Sequence, residues 1–283
     1  MAAELTRIFS DIHYGDRASR VRRLAQLRPL LAGVDHLVLN GDTLDTRPSP
    51  VPAHTAACRV EVLAFFTENT PRVTFLTGNH DADLTAEHAL DLAGGAVFVT
   101  HGDILHDDIV PWGQDASMIR LRIAAALAAL PAAERGQLAP RLAVWRRVAA
   151  TIPQRHQSES HGFRYVMQFA RDTVWPPARI WRVWRTWREE TPRAAAFVMM
   201  HRPQAKYFVI GHTHRSGVWR APAGIVVINT GSFCRPFGGC AVDLAGERVS
   251  VRRIVARGGE FHAGTVFAEF SLADTGASRR LLP

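Results

Sequence analysis

The chain has 283 residues, 47% of them apolar and 21% charged, a balance that excludes a disordered or fibrous protein. This length predicts one large domain, or one domain that carries a long insertion. The chain has 34 Lys and Arg residues and 26 Asp and Glu residues, so its net charge is +8. That excess suits nucleic acid, a phosphorylated substrate or an acidic membrane surface, without choosing among them.

The cysteines and the start of the chain predict a cytoplasmic protein. Cys58, Cys234 and Cys240 lack the spacing of a disulfide framework or a zinc ribbon, so we expect three reduced thiols. Residues 1–6 show no apolar core of a signal peptide, and no window approaches twenty uncharged apolar residues. We therefore predict a cytoplasmic location, with peripheral attachment to a membrane as the other option.

The first hundred residues repeat a short apolar run, a polar loop and a helix-like stretch. The runs predicted as strands are Leu5–Phe9, Leu37–Leu39, Val73–Leu76 and Ala96–Val99. Short strands that alternate with helices predict an α/β fold, in which ligands bind beyond the carboxyl ends of the strands. Polar residues able to bind metal follow each run at once, so we expect the four loops to form one shared site.

Residues 115–206 differ in kind from the segment before them. They are rich in Ala, Leu, Arg and Trp and are predicted to be helical, with breaks at prolines such as Pro140 and Pro192. They hold 16 basic and 6 acidic residues, a net charge of +10, whereas the remainder holds 18 and 20, a net charge of −2. We therefore predict a catalytic domain in two parts, 1–114 and 207–283, interrupted by a basic helical cap insertion at 115–206.

The strand pattern returns after the insertion. Tyr207–Ile210 is an apolar run that ends in Gly-His-Thr-His, and Gly224–Ile228 follows it. Cys240–Leu244 and Glu247–Val251 are predicted to pair as a hairpin. Two histidines at i and i+2 rarely fall in a loop after a buried strand without a chemical reason.

The residue types in these loops indicate a metal site. Imidazole and carboxylate together suit Mn, Fe or Zn, whereas Ca and Mg prefer oxygen ligands only. Two such ions about 3.5–4 Å apart form the usual clamp for displacement at phosphorus, and they lower the pKa of a shared water. Holding them that close requires a bridging anion, which a carboxylate can provide. Each of these short motifs by itself is common in loops. Five of them in this order, each at a predicted strand end, would require repeated coincidence.

The order of motifs, D-x-H, G-D-x-x-D, G-N-H-D, a lone His and G-H-x-H, resembles the calcineurin-like metallophosphoesterase superfamily over residues 5–103 and 207–233. The resemblance implies a four-layer α/β/β/α sandwich of two mixed sheets, with a dinuclear site at the strand ends. It also implies a hydrolase of phosphoester or pyrophosphate bonds that uses a hydroxide bridging two divalent metal ions. Mn is the expected metal, with Fe or Zn as alternatives.

The resemblance also assigns roles to residues at the matching motif positions. The implied ligands are Asp11, His13 and His214 for the first ion, Asp42 as the bridge, and Asn79, His101 and His212 for the second ion. His80 would donate a proton to the leaving oxygen and be held in place by Asp45. Arg47 stands one position beyond the place of the family arginine, which Thr46 occupies here; it would contact the substrate phosphate, because guanidinium matches phosphate oxygens in a bidentate way. The remaining histidines, His156 and His161 among them, lack ligand spacing.

Two details resemble the UDP-2,3-diacylglucosamine hydrolases of lipid A synthesis: the segment from His101 to Asp108, and a basic helical insertion before the G-H-x-H motif. They imply an alternative, a pyrophosphate hydrolase that acts on a lipid-linked substrate at the membrane surface. That group typically has Arg where this chain has His80, which favours a more ordinary phosphoesterase of small phosphorylated molecules. A further alternative is a non-catalytic scaffold, although every ligand position is filled here.

Residues 179–188 of the insertion predict an amphipathic helix. The predicted apolar side holds Ile180, Trp181, Val183, Trp184 and Trp187, and the basic side holds Arg179, Arg182 and Arg185. We expect the tryptophans to pack against the chain itself, as most amphipathic helices do, with contact to anionic lipid as the alternative. Nucleic acid is not the expected partner, because the cap is too narrow. These residue types do not indicate an oligomeric state.

Overall fold

The computed structural model describes residues 3–154 and 178–273, so part of the predicted insertion, with His156 and His161, lies outside the described residues. The α-helices are α1 (Arg28–Leu31), α2 (Pro52–Asn69), α3 (Ala116–Ala128), α4 (Leu138–Ala149) and α5 (Ala178–His201). Short 3-10 helices cover Leu24–Leu27, Ala93–Gly95, Asp103–Leu105 and Pro222–Gly224.

The strands form two mixed sheets. The first half of the chain supplies β1 (Leu5–Phe9), β2 (His36–Asn40), β3 (Arg72–Leu76), β4 (Ala89–Leu92) and β5 (Val97–Thr100). The second half supplies β6 (Tyr207–Ile210), β7 (Gly217–Arg220), β8 (Val226–Asn229), β9 (Cys240–Ala245), β10 (Arg248–Arg257) and β11 (Glu260–Ser271).

Strand order places the centre of each sheet in parallel pairing. The first sheet has the order β11-β10-β9-β1-β2-β3, in which β1, β2 and β3 run parallel and β9, β10 and β11 are antiparallel to their neighbours. The second sheet has the order β4-β5-β6-β8-β7, with β5, β6 and β8 parallel. Parallel strands end at the same edge, so the loops after them share one edge of each sheet.

Alternating side chains of each central strand enter two different cores. In β1, Ile8 belongs to the core between the sheets, whereas Phe9 packs outward against residues before α1 and against α2. In β5, Val97 faces the inner core and Phe98 faces α3, α4 and α5. Both faces of both sheets are therefore covered, which confirms the predicted four-layer α/β/β/α sandwich.

The helices α3, α4 and α5 pack on the outer face of the second sheet and share one core with it. Trp145 of α4 is fully buried, and its indole N–H donates to the His106 carbonyl at 3.1 Å. Arg146 of α4 makes an ion pair of 2.7 Å with buried Asp103. The described part of the insertion thus contributes the fourth layer of the sandwich. The boundaries at 115 and 206 stay a prediction.

Some elements differ from the sequence-based expectation. The patterns did not predict β4, β7 or β11, and β10 extends to Arg257 because pairing with β11 continues past the predicted end. Breaks were expected at Pro140 and Pro192, but both lie inside helices. Pro140 stands in the first turn of α4, where its missing N–H costs nothing. Pro192 interrupts one bond of a long helix whose neighbours Glu190 and Ala194 are buried.

The cysteines are free thiols, and all three are buried. Among the described helices, none is both long and apolar enough to cross a membrane.

Candidate metal centre

The predicted ligands meet where the parallel strands of the two sheets end. The first predicted set, Asp11, His13 and His214, offers three ligand atoms that all lie within 4.8 Å of one another. Asp11 Oδ1 is 3.1 Å from His214 Nε2, and the Nε2 atoms of His13 and His214 are 3.3 Å apart. Residues about 200 positions apart in the chain thus converge on one point.

Asp42 joins this group to a second one. Its Oδ2 lies 3.2 Å from His101 Nε2 and 3.7 Å from His13 Nε2. Asp11, Asp42 and His101 form another cluster of ligand atoms within the same 4.8 Å limit. Asp42 thus lies between His13 of the first set and His101 of the second, the position that a bridging ligand requires.

Asn79 and His212 lie beside these clusters. Asn79 is 2% exposed, and its Oδ1 has no hydrogen-bond partner among the described residues. His212 donates its Nε2–H to the Ile109 carbonyl at 2.8 Å, which leaves Nδ1 as the ring atom with a free lone pair. Its ring centroid is 5.3 Å from that of His101. His212 therefore offers Nδ1 beside His101, and Asn79 offers a buried amide oxygen in the cleft that Asp42 and His212 also line.

The unpaired buried atoms of this centre fit a divalent cation. Asp11 Oδ1, Asn79 Oδ1 and His101 Nε2 are each buried and make no well-aligned hydrogen bond in the described part of the chain, although Asp11 Oδ1 lies near His214 and His101 Nε2 near Asp42. Buried polar atoms are normally paired, because an unpaired one costs free energy. Three such atoms on three predicted ligands are accounted for if a metal ion completes their coordination.

The backbone of the ligand loops is strained. In the described residues, seven non-glycine residues have a positive φ, and five of these are Asp11, His13, Asp42, His212 and His214, with φ between 50° and 68°. Non-glycine residues rarely adopt this left-handed conformation, and such strain persists where surrounding contacts enforce it, often at functional sites. The unfavourable backbone conformation of these loops thus directs the candidate ligand side chains toward one point.

Gly78 allows two ligand loops to approach each other. A Cβ atom at Gly78 would overlap Asp42 Oδ1, so no larger residue fits there. The Asp81 carboxylate then ties the loops together by accepting backbone N–H groups from Asp42, Thr43 and Gly78 at 2.6 to 3.1 Å. Burial and the charge of Asp42 raise the pKa of Asp81 to about 6.

Charged groups in the centre shift the pKa values of their neighbours. Burial by itself would raise the pKa of Asp42, but His101 and His80 hold it well below its usual range. Burial would lower the pKa of His101, yet Asp42 and Asp11 raise it to about 10. Imidazole binds metal only in its neutral form, so metal binding at this centre has to release protons.

His80 and Asp45 form the predicted pair. His80 Nδ1–H donates to Asp45 Oδ2 at 3.0 Å, and its Nε2 edge is 4.0 Å from Asp42 Oδ2. Arg47 makes a bidentate ion pair with Asp45, through Nε at 2.9 Å and Nη2 at 2.7 Å, and is itself buried. The contacts of Arg47 thus hold the Asp45 carboxylate, and its contact with substrate phosphate stays a prediction.

A cleft of about 210 Å³ opens over the histidines. Its other walls are largely apolar: Val110, Trp112, Val183, Trp187 and Phe237. Exposed Arg235 provides a positive charge at the cleft. Sequence reasoning found no role for Trp112, Arg235 or Phe237, because they stand in segments without a motif.

One turn of α5 contacts the His212–His214 loop directly. The Trp187 indole N–H donates to the Thr213 carbonyl at 3.0 Å, and the Glu190 carboxylate accepts a bond from the Thr213 hydroxyl at 2.6 Å. Glu190 is 1% exposed, and burial raises its pKa to about 7. Sequence reasoning missed Glu190, which reads as one acidic residue of a basic helix.

The expectation that the tryptophans of α5 pack against the chain is correct only for Trp187. Ile180, Trp181 and Trp184 are 56%, 61% and 45% exposed. The rings of Trp181 and Trp184 stack on each other with centroids 4.7 Å apart. Arg179, expected on the solvent side, is buried instead. The helix is therefore turned so that its apolar side begins in the cleft and continues to an exposed surface.

The chain is similar in fold to several solved structures. Vacuolar protein sorting 29 from Cryptosporidium parvum has 12% identity and a TM-score of 0.44, over 96% of this chain and 100% of that one. A dimetal phosphatase from Danio rerio has 12% identity and a TM-score of 0.46, over 89% and 96%. A cold-active protein-tyrosine phosphatase from a Shewanella species has 14% identity and a TM-score of 0.37, over 93% and 81%. No curated protein matches the chain in sequence. The family model for calcineurin-like phosphoesterase matches residues 6–216.

Proposed function

The chain belongs to the calcineurin-like phosphoesterase family, and on this premise we propose that it is a dinuclear metal-dependent hydrolase of phosphoester or pyrophosphate bonds. The observation that carries the proposal is the position of Asp42. Its carboxylate lies between one proposed ligand of each ion, 3.2 Å from His101 Nε2 and 3.7 Å from His13 Nε2. A non-catalytic scaffold would not need loops with a strained backbone around buried ligand atoms that lack a hydrogen bond.

The residues divide into metal ligands and groups that act on the substrate. One ion would be held by Asp11, His13 and His214. The other ion would be held by Asn79, His101 and His212, and Asp42 would bind both ions. Two bound divalent ions, for which we propose Mn, supply a hydroxide near neutral pH and neutralise charge on the phosphate.

His80 acts on the leaving group. It faces the cleft beside Asp42, where it can give a proton to the departing oxygen. Asp45 orients the imidazole through Nδ1–H, and Arg47 keeps Asp45 ionised by lowering its pKa together with His80. Arg235 at the cleft is placed to attract the anionic substrate.

The test is to load purified protein with Mn²⁺, count the bound ions by elemental analysis and assay hydrolysis. We expect two ions per chain and turnover of bis-p-nitrophenyl phosphate, with phosphomonoesters, cyclic nucleotides and UDP-2,3-diacylglucosamine assayed beside it to define the substrate. Protein that holds two ions but hydrolyses none of these would favour the scaffold alternative. Protein that holds no ion would contradict the proposal.

A second candidate is a hydrolase of lipid-linked phosphoesters at an anionic membrane surface. It is favoured by the apolar side of α5, which lines the cleft at Val183 and Trp187 and reaches solvent at Trp184 and Trp181. An arginine lies beside the exposed tryptophans of α5: the Arg188 guanidinium is 5.5 Å from the Trp184 ring centroid. Exposed tryptophan beside arginine is typical of helices that bind the interface of anionic bilayers.

Vesicle cosedimentation tests this candidate. We expect the protein to sediment with phosphatidylglycerol vesicles and not with phosphatidylcholine vesicles, and the double variant Trp181→Ser/Trp184→Ser to bind about tenfold less. Leu121→Ser is the matched control, because Leu121 is 72% exposed on α3, a different helix. Equal binding by the double variant and the control variant would exclude the α5 surface as the contact.

A further inference from the structure

We propose that Glu190 of α5 is a positioning residue that holds the His212–His214 loop in the conformation required by the metal centre. The inference rests on the proposed function, because it concerns the same centre. It extends the centre into the helical segment, which the motifs do not include.

The loop needs an external support. His212 and His214 have φ values of 68° and 57°, although neither is glycine. Left-handed backbone at a histidine is unfavourable, and two such residues separated by one position persist only if other contacts fix the loop. Thr213 stands between the two histidines, so a group that holds Thr213 acts on both.

Glu190 holds Thr213 and the neighbouring strand end with the same oxygen atom. Its Oε1 accepts a hydrogen bond from the Thr213 hydroxyl at 2.6 Å and one from Asn229 Nδ2 at 3.0 Å. Asn229, the last residue of β8, also donates to the Gly211 carbonyl at 2.8 Å. Glu190 therefore connects the start and the middle of the loop to the end of β8.

Two further hydrogen bonds join Trp187, in the same turn of α5, to the loop backbone and to the residue after the loop. The Trp187 indole N–H donates to the Thr213 carbonyl at 3.0 Å, and Arg215 Nη1 donates to the Trp187 carbonyl at 2.7 Å. Residues 187 and 190 are three apart and so lie on one side of the helix. Together, Trp187 and Glu190 contact the Thr213 hydroxyl, the Thr213 carbonyl and Arg215, the residue after the loop.

The burial of Glu190 indicates a specific role. It is 1% exposed, and its Oε2 has no hydrogen-bond partner in residues 3–154 and 178–273. A buried carboxyl with an unpaired oxygen destabilises a fold unless its other contacts compensate. The adjacent Glu189 is partly exposed and pairs with Arg185 and Arg193 on the same helix. Of these two neighbouring glutamates, Glu190 is the one that contacts the His212–His214 loop.

The experiment measures Mn²⁺ affinity by isothermal titration calorimetry, which does not depend on activity. We expect Glu190→Ala to weaken Mn²⁺ binding about 10- to 100-fold, as is usual when the support of a metal ligand is lost. Glu190→Gln should restore affinity to within a few fold, because its Oε1 can accept the same two bonds. Glu189→Ala is the matched control and should bind Mn²⁺ as the unmodified chain does.

Thr213→Val provides an independent route to the same answer if Glu190→Ala does not fold. It removes the hydroxyl and should weaken Mn²⁺ binding, while the double variant should bind no more weakly than Glu190→Ala alone, since both changes remove one contact. Wild-type affinity in folded Glu190→Ala, or in Thr213→Val if the first variant is unfolded, would overturn the inference and leave the proposed function intact. An unmodified chain that binds no Mn²⁺ would overturn both.

Discussion

Replacement of Asp42 by Asn is expected to empty both metal sites and to reduce hydrolysis at least about 10³-fold. Asn keeps the shape of the side chain but replaces one carboxylate oxygen with an NH₂ group, which cannot bind a cation. Because Asp42 Oδ2 lies 3.2 Å from His101 Nε2 and 3.7 Å from His13 Nε2, the replacement also removes one of the negative charges near these rings, while that of Asp11 remains. Elemental analysis and turnover of bis-p-nitrophenyl phosphate measure the two effects.

Asp243→Asn is the control for the loss of a buried carboxylate as such. Asp243 is 5% exposed and pairs with Arg7 at 2.7 Å within the first sheet. We expect this variant to lose stability but to keep two ions per chain. Two full equivalents of metal in Asp42→Asn would contradict the bridging role.

Replacement of His80 by Ala is expected to slow the hydrolysis of esters with poor leaving groups by about 10²- to 10⁴-fold, the usual contribution of a general acid. Esters of p-nitrophenol should be affected much less, because this leaving group departs without a proton. Metal content should stay at two ions per chain, since His80 is predicted to donate a proton rather than to coordinate. The ratio of the two rates in variant and unmodified protein is the measurement.

A variant of the partner residue separates proton donation from general damage to the site. Asp45→Asn keeps a hydrogen-bond acceptor for His80 Nδ1–H but removes the negative charge. It should show the same dependence on the leaving group to a smaller degree. If His80→Ala loses metal, or slows all esters equally, the proton-donor role is wrong.

The convergence of the candidate ligands could be predicted because these residues stand in short local segments at the ends of strands. Asp11 and His13 come just after the five-residue segment Leu5–Phe9, of which three residues are apolar, and a short segment of this kind before a polar loop is predicted as a strand. Parallel strands end at one edge, so the donor residues after them have to be neighbours. The alternation of Ile8 and Phe9 between two cores is likewise a local pattern of period two.

Other features depend on pairing and packing between distant segments. The strand β11 carries only weak alternation and is stabilised by pairing along β10, which no local pattern shows. Arg47 stands two residues after Asp45, and only the folded loop decides that its guanidinium pairs with that carboxylate. The sequence identifies the group but not its partner.

The sequence alone determined the donor types, their order at the strand ends and the family to which the chain belongs. The tertiary structure alone decided how α5 is rotated, which buries Glu190 against Thr213, places Trp187 in the cleft and leaves Trp181 in solvent. The physical reason is that hydrophobic periodicity shows that a helix has an apolar side, whereas the surface that this side covers is set by the packing of whole layers.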